Sequence, residues 1–163
     1  MRRQEVEIAL KTIQEKKKIS CLAELSPKDF AEIKYLLSGV VAKRAEHVVQ
    51  ECDRVNKAVA ALKDGNIEEL GGLLNESHYS LRDLYEVTGK ELDTLSAFAR
   101  REPDCLGSRM IGGGFGGCTI SIVKKSAVEG FIRRVGAAYA EAIGYKASFY
   151  ETSIEDGITV STL

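Results

Sequence analysis

The sequence predicts an α+β chain: a small antiparallel sheet of ferredoxin-like type, about four strands with a crossover helix, carrying an appended layer of long antiparallel helices. Three observations lead to that class. Apolar residues recur at helical spacing through residues 1–102, whereas alternation and glycine take over in 103–163. The two prolines, Pro27 and Pro103, stand at the edges of patterns rather than inside them. Short segments of period two near the end of the chain flank one strongly amphipathic stretch, the order expected for strands around a crossover helix.

The elements follow in order. A helix over 4–16 would bury Val6, Ala9, Leu10 and Ile13. Ser26, with Pro27 in the first turn and Asp29 near the free amides, opens a second helix that runs to about residue 37. The longest helix covers 41–62, where Val41, Ala45, Val48, Cys52, Val55, Val59 and Leu62 make one narrow stripe. Lys43, Arg44, Glu46, Gln50, Glu51 and Arg54 would occupy its polar side. Gly65-Asn66 breaks this helix, and Asn66 caps the next, with Glu69 as its reciprocal partner. The same rhythm continues through Ile67, Leu70, Leu74, Ser77, Leu81 and Leu84, so the two helices read as an antiparallel hairpin. A coiled-coil dimer is the alternative, disfavoured because the short turn already supplies a partner.

Thr88-x-x-Glu91 has capping-box spacing and opens a helix that buries Leu92, Leu95 and Phe98. Strands are predicted over 106–111 and 118–123, the second alternating Cys118, Ile120 and Ile122 with Thr119, Ser121 and Val123. Ser126-x-x-Glu129 caps a helix whose buried face holds Val128, Phe131, Ile132, Val135, Tyr139 and Ile143, and Gly144 stops it. Strands over 147–152 and 158–162, joined by the acidic turn Glu155-Asp156-Gly157, would complete the sheet.

Composition narrows the functional classes. The 163 residues include 23 basic and 24 acidic side chains, so no basic stripe argues for nucleic acid. No apolar run approaches the roughly 20 residues of a membrane span. Four dispersed cysteines without a C-x-x-C pair, and two histidines, make no metal or disulfide framework and fit a reducing, cytoplasmic setting.

Chemistry concentrates in SRMIGGGFGGC, residues 108–118, where five of the six positions 112–117 are glycine. A tight hairpin needs one or two glycines. Five imply a backbone that lies very close to something, or that turns several amides toward an anion. A wide hairpin packed on a neighbouring helix is the bland alternative. The loop is neither G-x-x-x-x-G-K-[ST] nor a Rossmann turn, because no lysine follows before Lys124 and the glycines lead into a strand rather than a helix.

SRMIGGGFGGCTISIV resembles the C-terminal signature of galactokinases, members of the GHMP kinase family. The similarity extends to AKRAEHVVQECDRVNKAVAALKDGNIEELGGLLNESHYSLRDLYEVTGKELDTL, to MRRQEVEIAL and to YKASFYETSIEDGITV, in family order over essentially the whole chain. The resemblance implies an enzyme that phosphorylates galactose at its anomeric hydroxyl, with ATP and Mg²⁺ in a cleft between two domains. It places Gly112, Gly113, Gly114, Phe115, Gly116 and Gly117 beside sugar and nucleotide, with Gly113 closest to the sugar. Ile111 stands where the family pattern has threonine. His78 and Arg109 are further candidates near the substrate, although His78 also reads as a packed residue and Arg109 as half of an ion pair. Arg82 and Asp83 read as a structural pair, and Asn75-Glu76-Ser77 as a chance glycosylation pattern inside a helix.

The family's Glu-His-Asp sugar segment, its serine-rich phosphate loop and its transfer-site Asp and Arg have no counterpart in this sequence. The expectation is therefore a C-terminal domain, residues 1–163, without its N-terminal catalytic domain: no catalytic residue or metal site of its own, no tight cofactor, and a tendency to self-associate. Met1 is expected to be an artificial start. A non-catalytic sensor of sugar and ATP, and a free-standing ferredoxin-like binding module, remain as alternatives.

Overall fold

A computed structural model describes residues 2–153 and shows a mixed α+β fold. Six helices, α1 (Arg2–Gln14), α2 (Pro27–Ile33), α3 (Gly39–Lys63), α4 (Ile67–Ser80), α5 (Lys90–Arg101) and α6 (Val128–Ile143), surround the hairpin β1 (Cys105–Ile111) and β2 (Cys118–Val123). Among the described residues the sheet has these two antiparallel strands, fewer than the four predicted. The stretch 147–152 carries no strand and has no ladder partner among the described residues. Phe149 packs instead against Ala99, Phe131 and Val135. The strand predicted over 158–162 and the turn before it lie outside the described residues.

The helical half begins with a local core. Ala9 and Ile13 of α1, Leu22, Leu25, Phe30 of α2, and Ala45 and Val49 of α3 pack together, with Val6, Leu10, Val41 and Val48 at the margin. The Ser26 hydroxyl accepts the Asp29 amide at 3.0 Å, while the Asp29 carboxylate accepts the Ser26 amide, so the start of α2 is closed from both sides. Asn66 likewise accepts the Glu69 amide at 3.1 Å at the start of α4. The capping boxes expected at Thr88 and Ser126 are absent: Gly89 with φ +93° and Ala127 occupy those N-caps, and Thr88 is buried.

The stripe along α3 departs from expectation in its second half. Val55, Val59 and Leu62 are exposed, because α3 spans about 37 Å at 1.5 Å per residue and runs past the core formed with α1 and α2. Arg44, assigned to the polar side, is buried, as is His47. Both find polar partners that no helical period reveals.

Helix α4 lies against β1 with no side chain between them at one point. A Cβ on Gly71 would stand 2.3 Å from the Leu106 carbonyl oxygen, and one on Gly107 would stand 2.1 Å from the Gly71 carbonyl oxygen. Further along, Asn75 Oδ1 accepts the Ser108 amide at 2.9 Å and His78 Nδ1 accepts the Met110 amide at 3.2 Å. Side chains of α4 thus satisfy donors of β1 that do not serve the ladder with β2. Below the hairpin, Ser96 of α5 meets Ser108 at 3.0 Å, and Ser108 meets Ser121 of β2 at 2.9 Å. The polar side of β2 therefore points inward, while Cys118 and Ile120 are exposed. The consequence is an apolar outer face beside the glycine loop. No described helix is long and apolar enough to cross a membrane.

Candidate functional site

The loop between the paired residues Ile111 and Cys118 is the site the sequence singles out, and its glycines divide by cause. Gly112, Gly114 and Gly116 have φ of +76°, +78° and +97°, where a side chain is strained whatever space surrounds it. Gly114 is also pressed onto a neighbour, with its missing Cβ only 2.0 Å from the Val87 carbonyl oxygen. The next residue, Phe115, takes φ +55° and donates its amide to that same oxygen at 2.9 Å. Phe115 is 74% exposed.

Gly113 and Gly117 have no such internal cause. Neither lies at positive φ; a Cβ on Gly113 would meet nothing within 4 Å, and one on Gly117 would make ordinary contacts at 3.6 and 3.7 Å. The described fold leaves room for a Cβ at both positions.

His78 is fully buried on α4. Because Nδ1 accepts the Met110 amide, the neutral ring carries its proton on Nε2, which lies 3.2 Å from Asp93 Oδ1. Burial, reinforced by the nearby Arg100, pushes its pKa down to about 4 despite Asp93. It reaches no surface and braces β1 one residue before Ile111. Arg109 bonds Glu51 Oε1 on α3 at 3.1 Å and the Met110 carbonyl at 2.9 Å. Glu51 is a hub that also accepts Ser77 at 2.5 Å and pairs with Arg54. Arg82 and Asp83 form a bidentate surface pair at 2.7 and 2.9 Å. Asn75 sits inside α4 as the acceptor for Ser108, not in a loop.

Two residues of this neighbourhood escaped the sequence reading. Val87 matters through its carbonyl, which no side-chain pattern announces. Glu51 looked like one of several acids on a polar face, and only the fold brings Ser77 and Arg109 to it. The outer side of the hairpin, with Ile111, Ile120, Cys118 and Phe115 exposed, offers an apolar and backbone-rich surface. Such a surface can exclude water and position a ligand.

Comparison with known proteins gives a consistent result. Residues 58–141 match the family model for the C-terminal domain of GHMP kinases. The chain is 52% identical over 150 residues to galactokinase from Lactobacillus helveticus, which covers 91% of this chain and 39% of that protein. It is 49% identical over 157 residues to galactokinase from Clostridium beijerinckii, covering 96% of this chain and 40% of that one. The crystal structure of Lactococcus lactis galactokinase complexed with galactose superimposes with a TM-score of 0.90 at 45% identity, over 91% of this chain and 39% of that one. The chain thus spans about 40% of the length of the curated relatives it matches.

Proposed function

The chain belongs to the GHMP kinases through their C-terminal domain family, and from that premise we propose that it forms the C-terminal domain of a galactokinase. The whole protein would transfer the γ-phosphoryl group of ATP to the anomeric hydroxyl of galactose. The loop at 112–117 supplies one wall of the cleft. Two substrates brought together in that cleft need close approach and fixed orientation, since phosphoryl transfer owes most of its rate to positioning and charge stabilisation. The observation that carries this reading is Gly113, whose missing side chain the fold does not require.

The other parts of the reaction are assigned to the rest of the protein. Among the described residues no group of three or more His, Cys, Asp or Glu lies together to hold a metal ion. In this reading Mg²⁺, the phosphate cradle and the transfer-site acid belong to the remainder of the protein, and the isolated chain has no kinase activity.

The test is a chimera in which this chain replaces the matching portion of the Lactobacillus helveticus enzyme. ADP release that depends on galactose is the expected result, with none from the isolated chain. A folded chimera that binds galactose and ATP without turnover would point to a sensor instead, and one that binds neither would refute the reading.

A further inference from the structure

Four consecutive carbonyls, those of Leu84, Tyr85, Glu86 and Val87, leave the C-terminal end of the α4 segment, where a helix has no intrahelical donors left to offer. After α4 the chain makes one wide π-turn over Leu81–Tyr85 and then takes the left-handed conformation at Glu86, φ +56°. Three of the four carbonyls are held by two guanidinium groups. Arg44, 1% exposed on α3, donates Nη1 to the Leu84 carbonyl. Arg2 of α1 donates Nε to Tyr85 at 2.6 Å and Nη2 to Glu86 at 2.8 Å. The fourth carbonyl, Val87, receives the Phe115 amide and blocks any side chain at Gly114.

Carboxylates fix the two guanidiniums in turn. Arg44 Nε meets Glu5 at 2.9 Å and Arg44 Nη2 meets the Glu86 side chain at 2.7 Å, with Lys43 3.5 Å from the other Glu86 oxygen. The planar fork of an arginine serves two carboxylates and a carbonyl at fixed angles, which the single ammonium of lysine does not. We propose that Arg44, assisted by Arg2, is the positioning residue of the glycine loop: it locks residues 84–86, so that the next carbonyl, that of Val87, holds Gly114 and Phe115 in place. Arg44 touches no loop atom in this arrangement and acts only through the turn. What the loop then contributes to catalysis rests on the function proposed above; the mechanical link does not.

The link is tested by amide hydrogen exchange in the chain, comparing Phe115 with ladder amides of β2. Arg44→Lys keeps the charge but loses the fork, and should lower protection of the Phe115 amide at least tenfold while the β2 amides change less than twofold. A purely electrostatic role would be rescued by lysine, with unchanged Phe115 protection, and that result overturns the proposal. Should Arg44→Lys fold poorly, Glu86→Asn serves in its place. Asparagine accepts the left-handed backbone but is too short for Arg44, and loss of Phe115 protection is again expected. Gly114→Ala already displaces the loop from Val87, so adding Glu86→Asn to it should produce no further loss; an additive loss would overturn the route through Val87. In the chimera, Arg44→Lys should lower kcat for galactose phosphorylation about tenfold or more. A loosened Phe115 amide in an inactive chimera would retain the brace and remove the kinase reading; unchanged exchange in an active chimera would do the reverse.

Discussion

Gly71 and Gly72 are adjacent in α4, and replacing each with alanine should move stability in opposite directions. Both changes gain the same intrinsic helix preference, about 1 kcal/mol. Gly72 is exposed with nothing within 4 Å of its missing Cβ, so Gly72→Ala should keep the whole gain. At Gly71 the new methyl would meet the Leu106 oxygen at 2.3 Å and the Leu106 carbonyl carbon at 2.6 Å, both backbone atoms without a rotamer to escape into. Ordinary contact lies near 3.5 Å, so α4 and β1 would have to part by about 1 Å. That movement stretches the Ser108–Asn75 and Met110–His78 bonds, which close the edge of β1. Overpacking costs about 1–3 kcal/mol and each weakened buried bond about 1 kcal/mol. After the helix gain is subtracted, Gly71→Ala should lose about 2–4 kcal/mol. Urea unfolding followed by far-ultraviolet circular dichroism measures both. In heat, the expected shifts are about 3 °C upward for Gly72→Ala and about 6–12 °C downward for Gly71→Ala. Equal stabilisation by both alanines would refute the backbone contact between α4 and β1.

Three further outcomes follow from the same geometry. His47, whose pKa burial lowers to about 4, and His78, lowered to about 4 by the same cause, are both expected near 6.5 when unfolded. The unfolded chain therefore binds more protons between these values, so stability is complete above pH 6.5 and declines as pH falls toward 4. His47→Gln should remove about half of that slope in urea titrations at several pH values, and an unchanged slope would contradict it. Arg44→Met removes the nearer of the two cations shared by Glu5 and Glu86 and leaves the Leu84 carbonyl without its arginine donor, and should cost about 3 kcal/mol in the same unfolding assay. The outward Ile120 and Phe115 should drive self-association of the isolated chain; sedimentation velocity should show a concentration-dependent species that Ile120→Lys diminishes.

Helix positions were legible because local signals and tertiary packing agree there. The apolar spacing in α1, the Ser26–Asp29 box, the Gly65-Asn66 break and the Gly144 stop all act within one turn of the chain. Faces were harder to read. The stripe ending at Leu62 has the right period for a buried seam, yet burial depends on what lies opposite, and Val55, Val59 and Leu62 lie beyond the core shared with α1 and α2. Arg44 and His47 belong to the interior because Glu5, Ser80 and Glu86 arrive from distant segments, a non-local fact without sequence period. The strand expected over 147–152 is not formed among the described residues, since alternation alone does not supply a ladder partner. In the glycine loop, composition marked the loop as a candidate, but only dihedral angles and close approaches separate glycines the fold needs from Gly113 and Gly117.

That separation gives the most direct test. Gly113→Val in the active chimera places a branched side chain where the chain itself has open space. The account predicts unfolding within about 0.5 kcal/mol of the parent, as for a change that meets no neighbour, together with a loss in kcat/KM for galactose of about 100-fold or more. Full activity with the valine in place would contradict it.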